Sequence, residues 1–181
     1  MGPKSAISAI NQNGILLVYP MGNSSDPKSL WSIAYPKSKM KWEWDENGSE
    51  KIAHLWHLRE ELSRSKKVVY TKWFQGRATF MSFEVFAALY SLSNRRPIPL
   101  GREAQNLLSL LRESSPRSTK ELKRETQLQG KLLESTYTKA MKELWNRLLI
   151  VGFGEIEEGA FPSLAVGASE LLFEEAVELG R

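Results

Sequence analysis

REAQNLLSLLRESSPRSTKELKRETQLQGKLLESTYTKAMKELWNRLLIVGFGEIEEGAFPSL, residues 102–164, is the stretch whose reading decides the fold. Gly101 opens a first helix in which Ala104, Leu107, Leu108 and Leu111 recur at the spacing of one apolar face. Ser114-Ser115-Pro116 stops it. Ser118-Thr119-Lys120-Glu121 has the form of a capping box, where the Ser118 hydroxyl and the Glu121 carboxylate would each satisfy an orphan backbone donor. A second helix through Leu122 follows, closed by Gln129-Gly130. The third runs from about Lys131 to Arg147. Leu133, Tyr137, Ala140, Met141, Leu144 and Leu148 form its buried stripe, and Lys131, Ser135, Thr138, Lys139, Lys142 and Asn146 its outer face.

Leu149 to Ile156 is a β-rich run, Glu157 to Ala160 a turn, and Phe161 to Val166 the return strand. Ser169 then caps a last amphipathic helix. Helix, helix, longer helix and a two-stranded wing, in that order, is the pattern of a winged helix. In that module the third helix often enters the DNA major groove. Lys131, Ser135, Thr138, Lys139 and Lys142 are then the candidate contacts, since lysines reach phosphates and polar side chains reach base edges. The competing account is a solvated face on a module that serves protein contacts or dimerisation. Glu157 and Glu158 at the wing tip favour it, as does the acidic tail, for residues 151–181 hold seven Glu and one Arg.

Charge is uneven elsewhere too. Residues 1–100 carry 14 Lys and Arg against 8 Asp and Glu, and residues 101–150 carry 10 against 6. The net +4 is a modest excess that suits a polyanion partner without demanding one. The absence of cysteine excludes disulfides, thiolate nucleophiles and cysteine-ligated zinc, and fits a cytoplasmic protein. No signal peptide and no apolar run of membrane-spanning length is visible. Ser93 to Pro99 reads as a linker. It divides a Trp-rich mixed α/β region, residues 1–96, from the winged-helix module, residues 97–181. The fold class expected is therefore α+β.

In the first region, Ser5 to Asn11 reads as a short helix, Ile15 to Pro20 as a buried strand and Ile52 to Leu62 as a helix. Trp42 and Trp44 would share one face if that run is extended. Lys66 to Phe74 and Arg77 to Met81 read as a hairpin, and Ser82 caps a helix through Tyr90. Arg64, Lys66, Lys67, Lys72 and Arg77, interleaved with Tyr70, Trp73 and Phe74, are candidates to track a phosphate backbone. A half-buried hairpin, aromatics inward and lysines outward, accounts for the same alternation. His54 and His57 share a helical face but lack further metal ligands beyond Glu, so no metal or other cofactor is expected.

His54-Leu55-Trp56-His57-Leu58-Arg59-Glu60-Glu61-Leu62, Lys66-Lys67-Val68-Val69-Tyr70-Thr71-Lys72, Gly76-Arg77-Ala78-Thr79-Phe80-Met81-Ser82 and Ala88-Leu89-Tyr90-Ser91-Leu92 resemble the bacterial proteins called AlkZ-related. The resemblance covers most of the chain and implies a Trp-rich N-terminal half before a winged helix. It also implies a DNA-related role, through the link to the AlkZ (YcaQ) DNA glycosylases that remove alkylated bases. Those enzymes are longer and activate water with a Gln-apolar-Gln or Gln-apolar-Asp motif. Gln127-Leu128-Gln129 has that spacing but falls in the turn before the third helix, and Ile15 to Tyr19, where the motif is expected, has no glutamine or acid. Non-enzymatic DNA binding is thus the expectation, with a reduced glycosylase and a protein-interaction scaffold as alternatives.

Overall fold

The computed structural model describes residues 1–41 and 46–181, the side chains of 46–49 aside, so the Trp42-Glu43-Trp44 run lies outside the described residues. Among them the chain forms α1 (Pro3–Asn13), β1 (Ile15–Leu17), α2 (Leu30–Ala34), α3 (Glu46–Arg64), β2 (Val69–Thr71), β3 (Thr79–Met81) and α4 (Phe83–Asn94). After the 95–101 connection come α5 (Arg102–Glu113), β4 (Arg117–Ser118), α6 (Thr119–Glu125), α7 (Glu134–Asn146), β5 (Ile150–Glu158), β6 (Phe161–Ala168), α8 (Ser169–Leu172) and α9 (Glu174–Leu179). The fold is α+β. All six strands join one antiparallel sheet in the order β1-β3-β2-β5-β6-β4. No helix among the described residues is long and apolar enough to cross a membrane.

Both faces of the β1-β3-β2 end are covered. Leu16, Tyr70 and Phe80 pack with Leu55, Leu58 and Leu62 of α3. Val69 and Met81 point the other way, to Phe86 and Tyr90 of α4 and Val177 of α9. Burial on both faces removes the alternation expected of a half-buried hairpin: Val68, Val69, Tyr70 and Thr71 are all buried. The paired part of β2 is also only three residues, far shorter than Lys66 to Phe74.

The C-terminal core is separate. Leu107 and Leu111 of α5, Leu122 of α6 and Leu144 of α7 close on Ile150 and Val166 of the sheet. Ser118 caps α6 as expected, its hydroxyl accepting the Glu121 N–H at 3.0 Å. The other half of the capping box is replaced, because Glu121 pairs with Arg117 at 3.0 Å. α7 begins later than its apolar pattern predicts. Gly130, at φ +97°, opens a turn closed by the Leu133 N–H on the Gly130 carbonyl. Leu133 is therefore 38 % exposed instead of buried, and Leu132 is 94 % exposed.

Tyr70 opposite Gly152 joins the two ends of the sheet. Past it the register of β5 shifts between Gly152 and Glu155, a bulge that an antiparallel pair uses to re-aim a side chain. Gly154 takes φ +75° there and donates its N–H to Ser63 Oγ at 2.7 Å. The bulge turns Glu155 onto α3, where it meets Arg59.

Candidate nucleic-acid interface

Ser135, Thr138, Lys139 and Lys142 stand at i, i+3, i+4 and i+7 along α7, so they form one stripe, and all four are exposed. The opposite face, Tyr137, Ala140, Met141, Leu144 and Trp145, is buried and fixes which way the stripe points. Lys131 is exposed in the turn that precedes the helix. The acids of α7 are held aside. Glu134 pairs with Lys123 at 2.8 Å, and Glu143 accepts the Gly101 N–H at 3.1 Å.

Of the two acids at the β5-β6 tip, Glu157 is exposed and Glu158 is engaged. Glu158 accepts a hydrogen bond from Ser118 Oγ and pairs with Arg124 at 3.3 Å. The Ser118 hydrogen bond, followed by Arg124, holds its carboxyl below the usual range. Lys120 Nζ donates to the Glu158 carbonyl at 2.7 Å and to the Phe161 carbonyl at 3.1 Å, tying the tip to α6.

The second basic group is spread over α3 and the hairpin. Arg64 is exposed, pairs with Glu60 at 2.7 Å and donates to the Glu155 carbonyl at 2.6 Å. Lys66 and Lys67 are exposed in the bend after α3, Lys66 at 5.9 Å from the Phe153 ring centre. Arg77 is exposed before β3. Lys72 is half-buried, and burial, with the nearby Arg59 charge, lowers its ammonium below the ordinary lysine range. The chief packing partners of α7 are α5 and β5, so the two basic groups sit on different elements with β5 common to both.

Arg59, the first basic residue of the 59–77 segment but not one of the candidate contacts, lies in the core. It is buried, paired with Glu155, and its guanidinium lies 4.0 Å from the Trp56 ring centre and 5.7 Å from that of Tyr70. A signal was present: Arg59 falls beside Leu55, Leu58 and Leu62 on the core stripe of α3, where a charge requires a partner. Burial raises the hydroxyl pKa of Tyr70, and raises that of Tyr19 to about 12 against the opposing Arg59 charge.

Gln127 and Gln129 are exposed around buried Leu128, with Gln127 at φ +59° in the turn before α7. Leu16, Leu17 and Val18, where the glycosylase motif would fall, are buried and apolar. His54 is occupied on both ring nitrogens, by Tyr35 Oη at 2.6 Å and the Met1 carbonyl at 2.9 Å. The carbonyl only accepts, so Nε2 carries the proton and Nδ1 accepts from Tyr35. Among the described residues no group of three or more His, Asp or Glu is placed to hold a metal.

These features define an α+β protein with an exposed polar stripe on α7 that carries Lys139 and Lys142. The chain belongs to the AlkZ-related family, whose model matches residues 2–160. No curated protein and no solved structure matches it.

Proposed function

We propose that this member of the AlkZ-related family is a non-enzymatic DNA-binding protein whose residues 97–181 form a winged helix. In this reading α7 enters the duplex major groove and the β5-β6 hairpin is the wing. The observation that carries it is the exposed stripe Ser135, Thr138, Lys139 and Lys142, on a helix whose own acids are engaged elsewhere. The order α5-β4-α6-α7-β5-β6, with β4, β6 and β5 adjacent in the sheet, supports the winged-helix assignment. The family's relation to AlkZ supports DNA as the partner. Lys131 would extend the contact at the start of α7, and Arg64, Lys66, Lys67, Lys72 and Arg77 would add phosphate contacts from the Trp-rich residues 1–96. A cysteine-free chain suits the reducing cytoplasm, where bacterial DNA lies.

The test is the double reversal Lys139→Glu/Lys142→Glu, assayed by fluorescence anisotropy on random duplex at two salt concentrations. Loss of two phosphate contacts should weaken binding at least about tenfold and lower the slope of log K against log salt by about 1.8. Unchanged duplex affinity in a variant with native circular dichroism would refute the role of α7.

A further inference from the structure

The 95–101 connection is pinned along its length. Arg147 Nη1 donates to the Ile98 carbonyl at 2.6 Å. Gln105 Nε2 of α5 donates to the Leu100 carbonyl at 2.9 Å, and the Gly101 N–H donates to the Glu143 carboxylate at 3.1 Å. Between the connection, α5 and the α7–β5 junction lies a cavity of about 420 Å³, inside the roughly 300–1,000 Å³ span of small-molecule sites. From α5 come Gln105, Leu108, Ser109 and Arg112, which at i, i+3, i+4 and i+7 share one face of the helix. Leu100 and Leu149 add apolar surface, and both pack on the C-terminal core behind them. The cations of the lining are Arg112 and Arg147, and no described residue of it is acidic.

The cations differ in what balances them. Arg112 is exposed and pairs with Glu170. Arg147 is half-buried, and its partners are neutral. Besides the bond to Ile98, its Nη2 donates to Asn94 Oδ1 at 3.3 Å, while its Nε is buried without an acceptor. Among the described residues no carboxylate pairs with it. Asn94 Nδ2 in turn donates to the Arg147 carbonyl at 3.0 Å, so side chain and backbone of Arg147 are both anchored. A cation partly withdrawn from water and held by neutral acceptors is poorly compensated, and an incoming anion supplies the missing counter-charge. The guanidinium also carries more N–H donors than these bonds use, in a planar fork that matches a carboxylate.

From this juxtaposition we propose that the cavity binds a small organic carboxylate, its carboxyl group on Arg147 and its apolar body against Leu100, Leu108 and Leu149. Inorganic phosphate would use the cation and gain nothing from the leucines, whereas an organic acid uses both. The site does not rest on the DNA-binding proposal.

The experiment titrates acetate, hexanoate, benzoate, hexanamide and inorganic phosphate separately into the full chain and follows the nitrogen-15 correlation spectrum, arginine Nε–H signals included. Hexanoate should give saturable shifts at Leu100, Leu108, Ser109 and Arg147. It should bind at least about tenfold tighter than acetate, because each buried methylene strengthens binding roughly threefold to fourfold. Hexanamide, which lacks the charge, should bind about tenfold more weakly than hexanoate. Arg147→Gln should cost hexanoate about tenfold or more. Because Arg147 also anchors the connection, Ser109→Asp is the second variant. It sets a competing carboxylate on the exposed face of α5 and should weaken hexanoate by a similar factor. Absence of saturable shifts with hexanoate and benzoate up to about 10 mM would overturn the proposal. So would phosphate or hexanamide binding as tightly as hexanoate, or a folded variant of either kind that binds hexanoate like the native chain.

Discussion

Substituting Gly152 by alanine tests how the two ends of the sheet are joined. A Cβ built on Gly152 would lie 2.1 Å from Cδ1 and 2.7 Å from Cε1 of Tyr70, its partner across β2 and β5. The ring has nowhere to go: Tyr70 is 1 % exposed, stands edge-on to Phe80 at 5.4 Å and has Arg59 over its face. The colliding atoms are carbons of the ring itself, so relieving the clash requires the whole ring to move. Overpacking a fixed core costs about 1–3 kcal/mol, and this geometry puts the loss near 3 kcal/mol. For a chain of this length that is a fall in Tm of roughly 6–12 °C. Urea denaturation followed by tryptophan fluorescence and far-ultraviolet circular dichroism measures it. Both signals should move together, because the pair ties the N-terminal sheet to β5. A double-mutant cycle with Tyr70→Leu isolates the cause, with a coupling above about 1 kcal/mol expected once the ring is gone. A loss below about 0.5 kcal/mol, or no coupling, would refute the collision as the reason for glycine at 152.

Glu155→Gln leaves the Arg59 charge buried without a counter-ion, and removing one partner of such a pair costs about 3–5 kcal/mol. The amide still accepts a hydrogen bond, so urea denaturation should give the lower end, and a loss under about 1 kcal/mol would contradict the pairing. All five tyrosines, at 19, 35, 70, 90 and 137, have hydroxyl pKa values raised above 10, with burial the leading cause in each. A raised folded pKa contributes stability that is intact below pH 10 and lost as the pH climbs toward about 12. Ultraviolet titration should therefore show little phenolate at pH 10 and a steep rise with unfolding above it. An ordinary titration centred on pH 10 in folded protein would oppose this.

The C-terminal elements were readable because each buries one face. Ala104, Leu107, Leu108 and Leu111 of α5 are all buried, as their spacing predicts, and so are Tyr137, Ala140, Met141 and Leu144 of α7. The start of α7 was not readable. Leu132 and Leu133 extend the apolar pattern, and only the Gly130 turn, with no neighbour to cover them, ends it. At the β1-β3-β2 end the pattern failed for a different reason, since a strand covered by α3 on one side and α4 on the other has no polar face to alternate with. Arg59 shows the same limit. Its partner Glu155 is 96 residues away, and only the β5 bulge brings the two together.

Counting charges misleads for the same reason. Seven glutamates in residues 151–181 suggest a segment that repels phosphate. In the fold, Glu155 is bound to Arg59, Glu158 to Ser118 and Arg124, and Glu170 to Arg112. The exposed acids Glu174, Glu175 and Glu178 are gathered on α9, which packs on α4. Glu157 at the β5-β6 tip is exposed and in no ion pair among the described residues, whereas Glu134 and Glu143 of α7 itself are engaged and Lys139 and Lys142 have no carboxylate partner among the described residues. What an approaching polyanion meets is set by which charges are left unpaired on each face, and on α7 those are cations.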